Sequence, residues 1–337
     1  MQYRIRDVAE RAGVSKSTVS RVLNHSPLVD KETRRRVLDT SRKLNYYRNS
    51  SAQWLARGGR SDFYGLIISD IENPVFPEMI KGFDTAAAAE GYDLFLCATN
   101  YDKNRTQAAV RKMIENGVRG VAIMTSSVDV EIAEQLAERE IAVVLLDTGV
   151  RKRFISNVSI DYSGGVGDSL EHLKQLGHKR IAFVAGPDER NSARRYRETV
   201  LKGIREHQLE LAQIVESDQT LEGGRSAARK LLGKRLPSAI LCINDLTAIG
   251  LMTALADAGT RVPEEVSIIG CEDIYLSRFV NPPLTTVKLD RMSLGKVAFS
   301  VLQSMWRADQ KRTKAMTLAT QLIVRGSTAA RSTNAAS

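Results

Sequence analysis

The stretch Arg6-Asp-Val-Ala-Glu-Arg-Ala-Gly13-Val-Ser-Lys-Ser-Thr-Val-Ser-Arg21-Val-Leu23 decides how the beginning of this chain folds. Apolar residues recur there at the spacing of one helix face, at Ile5, Val8, Ala9 and Ala12. Gly13 then ends this helix, because glycine adopts the left-handed backbone conformation without steric cost. Ser15 is a favourable N-cap for a second helix. The stretch therefore predicts two short helices joined by a tight turn.

The second predicted helix has an apolar inner face and a polar outer face. The inner face consists of Val19, Val22 and Leu23. The outer face and the cap present residues that we expect to contact DNA: Ser15, Lys16, Ser17, Thr18, Ser20 and Arg21. This pattern is typical of a helix-turn-helix, whose second helix enters the major groove. The alternative is a helical hairpin that serves only as a scaffold, with its charges in water.

The positive charge of the chain is concentrated at its beginning. Residues 1–60 contain 14 lysines and arginines against five acidic residues, which accounts for +9 of the net charge of +10 of the 337 residues. A basic segment with a helix-turn-helix predicts a polyanionic partner, and double-stranded DNA is the expected one. A membrane-surface arm is the alternative, but no large apolar face opposes the basic residues.

The remaining composition predicts a cytoplasmic protein without metal, cofactor or membrane partner. Three cysteines (Cys97, Cys242 and Cys271) and four histidines are widely scattered, which fits neither a disulfide framework nor a metal site. No signal peptide precedes the first helix, and the longest apolar runs are too short to span a bilayer. The glycines of Gly164-Gly-Val-Gly167 lack a complete phosphate-binding motif. Since no catalytic motif is present either, we expect no enzyme and no catalytic residues.

The N-terminal motif is similar to the signature of the lactose-repressor/galactose-repressor (LacI/GalR) family. The resemblance is carried by Asp7–Ser15 and Thr18–Asn24, then by Thr33-Arg34, Leu44-Asn45-Tyr46 and Asn49–Ala56. It implies that Asn24 also belongs to the DNA-reading surface. It further implies a hinge helix that forms on the operator, with Asn49 as its cap, Ala52 facing the groove and Leu55 inserted into the minor groove. Arg48 and Trp54 depart from the usual hinge sequence.

From Phe63 onward, short apolar runs alternate with helical stretches, a pattern that predicts parallel sheets covered by helices. A restart near Asp161–Gly165 indicates two similar α/β lobes facing each other across a cleft. This resembles the type I periplasmic-binding-protein fold. The predicted strands are Phe63–Ser69, Asp93–Ala98, Arg119–Met124, Ala142–Leu146, Val158–Ile160, Arg180–Ala185, Ile214–Glu216, Ala239–Ile243, Val266–Cys271, Thr286–Leu289 and Leu318–Val324.

The expected fold class is thus a small all-α helix-turn-helix head plus a two-lobed α/β core of parallel sheets. The expected domains are residues 1–48 for the DNA-binding head, 49–61 for the hinge helix and linker, and 62–326 for the core, which binds the effector and dimerises. Residues 327–337 are small and polar, so we expect a disordered tail. This tail lacks the leucine heptads that would build a tetramer.

Polar residues follow several predicted strands, at the edge where open α/β sheets bind ligands. Carboxylates, amides and arginines there suit a small hydroxyl-rich molecule, although Asp245 is equally a helix cap. The resemblance implies that Glu272 replaces an effector-binding aspartate, Gln219 an aromatic residue and Tyr196 an arginine. The predicted effector-binding residues are Val75, Phe76, Asp147, Arg195, Tyr196, Gln219, Asn244 and Glu272.

The sequence predicts a homodimeric transcriptional repressor that binds a near-palindromic operator and a small polar effector, with a carbohydrate as the expected class. Effector and operator would then favour different arrangements of the dimer, so that each alters the affinity of the other. One alternative is a regulator controlled by a non-sugar metabolite or a protein corepressor. A less favoured alternative is a solute-binding protein, which the basic head opposes.

Overall fold

The computed structural model describes residues 3–23, 26–46, 61–125, 130–306 and 316–331. The chain divides into two compact units, Met1–Ser61 and Asp62–Ser337. In the parts of the chain that are described, no helix is long and apolar enough to cross a membrane.

The first unit contains three described helices: α1 (Ile5–Ala12), α2 (Lys16–Leu23) and α3 (Lys31–Lys43). Gly13 ends α1 with φ +64°, in the left-handed region. Ser15 caps α2, since its Oγ accepts a hydrogen bond from the Thr18 amide at 3.1 Å. Val8, Val19 and Val37 are fully buried and bring the three helices together. The predicted helix-turn-helix is confirmed.

The first lobe of the second unit is a six-stranded parallel sheet in the order β11-β5-β4-β3-β1-β2. Both faces of a parallel sheet are covered by helices, so its strands are continuously apolar. Leu66, Ile67 and Ile68 of β1 are accordingly all buried. The elements are β1 (Phe63–Ile68), α4 (Val75–Ala89), β2 (Asp93–Ala98), α5 (Lys103–Glu115), β3 (Gly120–Met124), α6 (Val130–Ala137), β4 (Ala142–Leu146), β5 (Ile155–Asp161), α11 (Arg291–Ser304) and β11 (Met316–Ala319).

The second lobe repeats this architecture with the strand order β12-β10-β9-β8-β6-β7. Only β12 runs antiparallel to its neighbour in this sheet. The elements are α7 (Ser163–Gln175), β6 (Arg180–Ala185), α8 (Asn191–Glu206), β7 (Glu210–Glu216), α9 (Leu221–Leu232), β8 (Ala239–Cys242), α10 (Asp245–Asp257), β9 (Ser267–Glu272), a short 3₁₀ helix (Tyr275–Arg278), β10 (Thr285–Lys288) and β12 (Gln321–Ile323). The predicted two-lobed α/β core is confirmed.

The chain passes between the lobes three times: after β5, after β10 and after β11. At Thr320 the hydroxyl donates to the Asp161 carbonyl at 2.8 Å and accepts from the Gly165 amide at 3.2 Å, which ties two of these crossings together. The single last strand predicted for Leu318–Val324 is therefore wrong. The crossing at Thr320 divides it into β11 and β12, which belong to different sheets.

The prediction of a disordered tail is wrong for residues 327–331. Ser327 is fully buried: its hydroxyl donates to the Ile268 carbonyl at 2.6 Å and accepts from the Thr285 amide at 2.8 Å. The Arg331 amide donates to the Leu176 carbonyl at 2.8 Å. Small polar side chains fit here because backbone groups of the second lobe supply their hydrogen-bond partners. Residues 332–337 lie outside the described residues.

Glycines allow one pair of helices in each lobe to cross closely. In the first lobe, a Cβ atom at Gly82 of α4 would overlap the Met292 carbonyl of α11. In the second lobe, a Cβ atom at Gly250 of α10 would overlap the Leu221 carbonyl at the start of α9. Both obstructions are backbone atoms, which cannot rotate away.

Gly250→Ala should lower the free energy of unfolding by about 1–3 kcal/mol, because overpacking against the backbone outweighs the higher helix propensity of alanine. Gly167→Ala is the matched control, since a Cβ atom there has nothing within 4 Å, and it should stabilise the core by about 0.5–1 kcal/mol. Urea unfolding of both variants measures the difference. Equal effects would show that the close crossing is not a packing constraint.

Candidate functional site

The outer face of α2 carries the predicted DNA-reading residues. Lys16, Ser17 and Arg21 are exposed, while Val19 and Val22 on the opposite face are buried. Among the described residues, the Arg21 guanidinium makes no hydrogen bond or ion pair, so it is available to an external acceptor.

The other predicted residues of this surface have different environments. The Ser15 hydroxyl bonds to the hydroxyls of Ser17 and Thr18, each at 2.8 Å. Thr18 and Ser20 are half-buried. Four predicted DNA-contacting residues lie outside the described residues: Asn24, Asn49, Ala52 and Leu55.

A cavity lies between the two lobes of the second unit, at the carboxyl ends of their strands. Its empty volume is about 840 Å³ including the part open to solvent. Six of the predicted effector-binding residues line it: Val75, Phe76, Tyr196, Gln219, Asn244 and Glu272. Most other lining side chains are apolar or aromatic, including Met79, Met124, Leu146, Ile160, Tyr162 and Ile243.

Glu272 presents a buried carboxyl group to this cavity. Its Oε2 atom is buried and has no hydrogen-bond partner among the described residues. Burial raises the pKa of Glu272 well above its ordinary value, the nearby Asp245 raises it further, and Arg291 opposes the shift. Glu272 also has φ +107°, while its carbonyl accepts a hydrogen bond from Arg291. Burial therefore favours the protonated carboxyl group, which can donate as well as accept.

Arg190 and Tyr101 form a wall of the cavity that the sequence predictions did not name. The Arg190 guanidinium lies 4.0 Å from the centroid of the Tyr101 ring. It also donates to the Gln219 side chain and, at 3.3 Å, to the Asp218 carbonyl. Tyr101 follows β2, so the rule that ligands bind at carboxyl strand ends, applied to this strand too, would have found it.

Asp147 and Arg195 do not line the cavity, although both were predicted to bind the effector. The Asp147 side chain is fully buried, and its Oδ1 accepts hydrogen bonds from Arg195 Nη1 at 2.7 Å and from the Ile160 amide at 2.9 Å. Burial raises the pKa of Asp147, while the Ile160 amide and Arg195 oppose this shift. The two side chains pair with each other instead of facing the cavity.

Asn244, and not Asp245, caps α10. The Asn244 side chain accepts from the Thr247 amide at 3.0 Å and donates to the Gln219 carbonyl at 3.0 Å. Asp245 is fully buried, accepts from the Ile274 amide at 2.8 Å and from the Thr286 hydroxyl, and does not line the cavity. Burial raises the pKa of Asp245 to about 7. Its role is to connect α10 to the loop after β9.

No group of three or more histidine, cysteine, aspartate or glutamate residues in the described ranges could hold a metal ion. The three cysteines are free thiols, and two of them, Cys242 and Cys271, are buried.

Comparison with known proteins gives a consistent result for both units. Residues 4–49 match the family model "Bacterial regulatory proteins, lacI family", and residues 170–328 match "Periplasmic binding protein-like domain". The HTH-type transcriptional repressor PurR of Haemophilus influenzae (strain PittEE) is 34% identical over 303 residues, which cover 88% of this chain and 89% of that protein.

Solved structures agree with this relationship. The lac repressor dimer bound to operator and the anti-inducer ONPF has a TM-score of 0.86 and 28% identity, covering 98% of this chain and 100% of that chain. A LacI family transcriptional regulator from Enterococcus faecalis V583 with bound ribose has a TM-score of 0.72 and 29% identity, covering 80% of this chain and 100% of that chain.

The fold and the matched regions define a transcriptional regulator with a helix-turn-helix and a periplasmic-binding-protein-like core. The chain belongs to the LacI family of bacterial regulatory proteins. It is a DNA-binding transcriptional repressor and not an enzyme.

Asp245→Asn should remove a pH dependence of the stability of the core. Because the folded-state pKa of about 7 lies above the ordinary value of 3.8, the folded state holds a proton that the unfolded state releases. The wild-type protein therefore loses stability as pH rises from about 4 to about 7. The asparagine amide keeps both hydrogen bonds, since its oxygen accepts from Ile274 and its nitrogen donates to the Thr286 hydroxyl.

The gain in unfolding free energy of Asp245→Asn over wild type should be small at pH 5 and reach on the order of 2–4 kcal/mol at pH 8. Chemical denaturation at the two pH values measures it. A difference that does not change with pH would show that Asp245 is ionised throughout.

Proposed function

We propose that this repressor reads a near-palindromic operator with α2, acts as a homodimer and binds a small effector between its lobes. The DNA-reading role is supported by the exposed polar face of α2 and by the concentration of net positive charge in residues 1–60. Two copies related by a two-fold axis would place two such helices on two half-sites, which requires a palindromic arrangement of the operator.

An exposed aromatic patch supports dimerisation. Tyr275, Leu276 and Phe279 are 67%, 48% and 66% exposed, and the tilted rings of Tyr275 and Phe279 contact each other with centroids 4.8 Å apart. Large apolar side chains grouped at one surface mark an interaction site. The lac repressor structure that this chain resembles is a dimer. A second copy of this chain is the occupant that we propose for the patch.

Arg21 supplies the sharpest test of DNA reading. Arg21→Ala should weaken operator binding by about 1–3 kcal/mol and relax the preference at one base pair in each half-site, because arginine recognises guanine through two hydrogen bonds. Binding to a set of operator variants with single base changes, at constant salt concentration, measures both effects.

Arg36→Ala is the matched control, since Arg36 is exposed on α3 and the substitution removes the same charge. It should change the affinity for every sequence by the same factor. If Arg21→Ala behaves in this same way, Arg21 contacts only the phosphate backbone and the assignment fails.

The cavity favours a flat ring with hydrogen-bonding groups on its edge over the carbohydrate predicted from the sequence. A sugar carries hydroxyl groups all around its ring, and each buried hydroxyl needs a partner. The cavity has more apolar and aromatic lining side chains, such as Phe76, Tyr162 and Tyr196, than charged or amide ones. Glu272 and Arg190 can pair with the edge of a heterocycle that has both N–H and carbonyl groups. Purine bases have this chemistry.

Purine bases should therefore raise the melting temperature of the purified repressor, whereas ribose and sugar acids should not. Ligand at about 100 times its dissociation constant adds about 2.7 kcal/mol. Glu272→Ala should abolish most of this shift, because it leaves a buried N–H of the ligand without a partner. Operator affinity without ligand should stay unchanged.

Glu264→Ala is the control, because this exposed residue lies away from the cavity lining and the substitution removes the same side chain. Its thermal shift with purine bases should equal that of the wild type. A shift with ribose or sugar acids alone would overturn the flat-ring proposal in favour of a carbohydrate. A full thermal shift with purine bases in Glu272→Ala would show that the effector binds elsewhere in the protein.

A further inference from the structure

A charged pair connects the two lobes beside the cavity. Asp147 follows β4 of the first lobe, and Arg195 lies in the first half of α8 in the second lobe. Arg195 Nη1 donates to Asp147 Oδ1 at 2.7 Å, and Arg195 Nη2 donates to the Ile160 carbonyl of β5 at 3.3 Å. One guanidinium of the second lobe thus holds two strands of the first. We call Asp147 and Arg195 the inter-lobe pair.

The acidic partner of the inter-lobe pair is held rigidly. The Asp147 side chain is fully buried and the Ile160 amide donates to the same Oδ1 atom at 2.9 Å, whereas the Arg195 side chain is 36% exposed. If the lobes separate at this point, the arginine is hydrated easily. The carboxylate, in contrast, loses its counter-charge while it remains against the strand, and breaking such a pair is costly. The geometry therefore resists separation.

The inter-lobe pair lies directly behind the cavity lining, since Ile160, which bonds to both members, is a lining residue. On α8, Ser192, Ala193 and Tyr196 line the cavity, while Arg195 does not. The helix therefore has one face toward the cavity and another toward Asp147. Arg190, the other arginine of this region that reaches the first lobe, stacks on Tyr101 within the cavity wall itself. A ligand can displace that contact directly, but it can affect the inter-lobe pair only by moving α8 or the lining residue Ile160.

We propose that the Asp147–Arg195 pair is a latch that holds the lobes together beside the cavity and limits how far the cavity opens. It is a positioning interaction and contacts no ligand. The consequence for regulation, that the latch sets how readily an effector enters, rests on the proposed effector site. The latch itself does not, and it is tested without any ligand.

Two native cysteines distinguish separation of the lobes from unfolding of the second lobe. Cys271 lines the cavity, and it becomes accessible when the lobes separate. Cys242 does not line the cavity and is fully buried in the core of the second lobe, among Ala182, Leu251 and their neighbours. It becomes accessible only when that lobe unfolds. Cys97 is half-buried and is replaced by serine in all variants.

The experiment measures the rate of alkylation of Cys271 and Cys242 by N-ethylmaleimide in the full-length Cys97→Ser protein, with each cysteine quantified by mass spectrometry. Arg195→Met should raise the rate at Cys271 about tenfold, as expected for the loss of one partly buried ion pair, and leave the rate at Cys242 unchanged. Asp147→Asn, which keeps an acceptor for the Ile160 amide, should raise the Cys271 rate less.

Arg194→Met is the matched control. Arg194 is the exposed neighbour on the same helix, donates to Asn191 at 2.7 Å, and loses the same charge. Its Cys271 rate should equal that of the Cys97→Ser parent. The double variant Asp147→Asn/Arg195→Met should have the same Cys271 alkylation rate as Arg195→Met alone. Once Arg195 is replaced, the substitution of Asp147 has no ion pair to weaken.

Three results would overturn the latch: no change at Cys271 in Arg195→Met, an equal rise in Arg194→Met, or a parallel rise at Cys242 in both pair variants. The last result would mean that the pair holds the fold of a lobe and not the contact between lobes. Failure of every purine and sugar to bind would refute the effector proposal and leave this outcome unaffected.

Discussion

Parallel pairing of the strands is the constraint on which the core depends. All strands of a parallel sheet end at one edge, and the helices that cover both faces leave this edge as the place where polar loops can gather. The three crossings of the chain turn the two sheets so that these edges face each other. Polar residues that follow strands of one lobe can then contact residues of the other, as Asp147 contacts Arg195. The cavity and the inter-lobe pair both arise in this way.

The same constraint explains why buried carboxyl groups accumulate behind the cavity. Asp245, Glu272 and Asp273 all lie near the end of β9, and the side chain of Arg291 is buried among them. Arg291 donates to the carbonyls of Glu272 and Asp273 and also pairs with Glu78 of α4 at 3.0 Å. It therefore joins backbone of the second lobe to a helix of the first. Burial makes Asp245 and Glu272 easier to protonate, which limits the cost of holding several acids near one arginine.

Local sequence signals were sufficient for the head and for the architecture of the core. Gly13 and Ser15 set the turn of the helix-turn-helix, and apolar runs located the strands up to β10, because these features depend on residues close together in the chain. The cavity lining was predictable only in part. Gln219 and Glu272 follow strands and were found, whereas Tyr101 depends on a turn in which Asn100 and Tyr101 both have positive φ. The strand-end rule places Tyr101 at the cavity edge, but no local pattern predicts that this turn brings its ring against Arg190.

The errors share one cause, since each concerns a side chain whose partner lies far along the chain. Asp147 was expected to bind a ligand, but Arg195, 48 residues later, takes its carboxylate. Ser327 belongs to a stretch whose composition is typical of disorder, but a partner 59 residues earlier orders it. Polar residues at a strand end form hydrogen bonds with the groups that the fold brings near them. A protein group that already occupies such a position excludes a ligand from it.

Because Arg195 and Tyr196 are adjacent on α8 but face in different directions, a movement of this helix couples the contact between the lobes to the shape of the cavity. Coupling of this kind requires only one rigid element that both sites bias, and α8 carries residues of both.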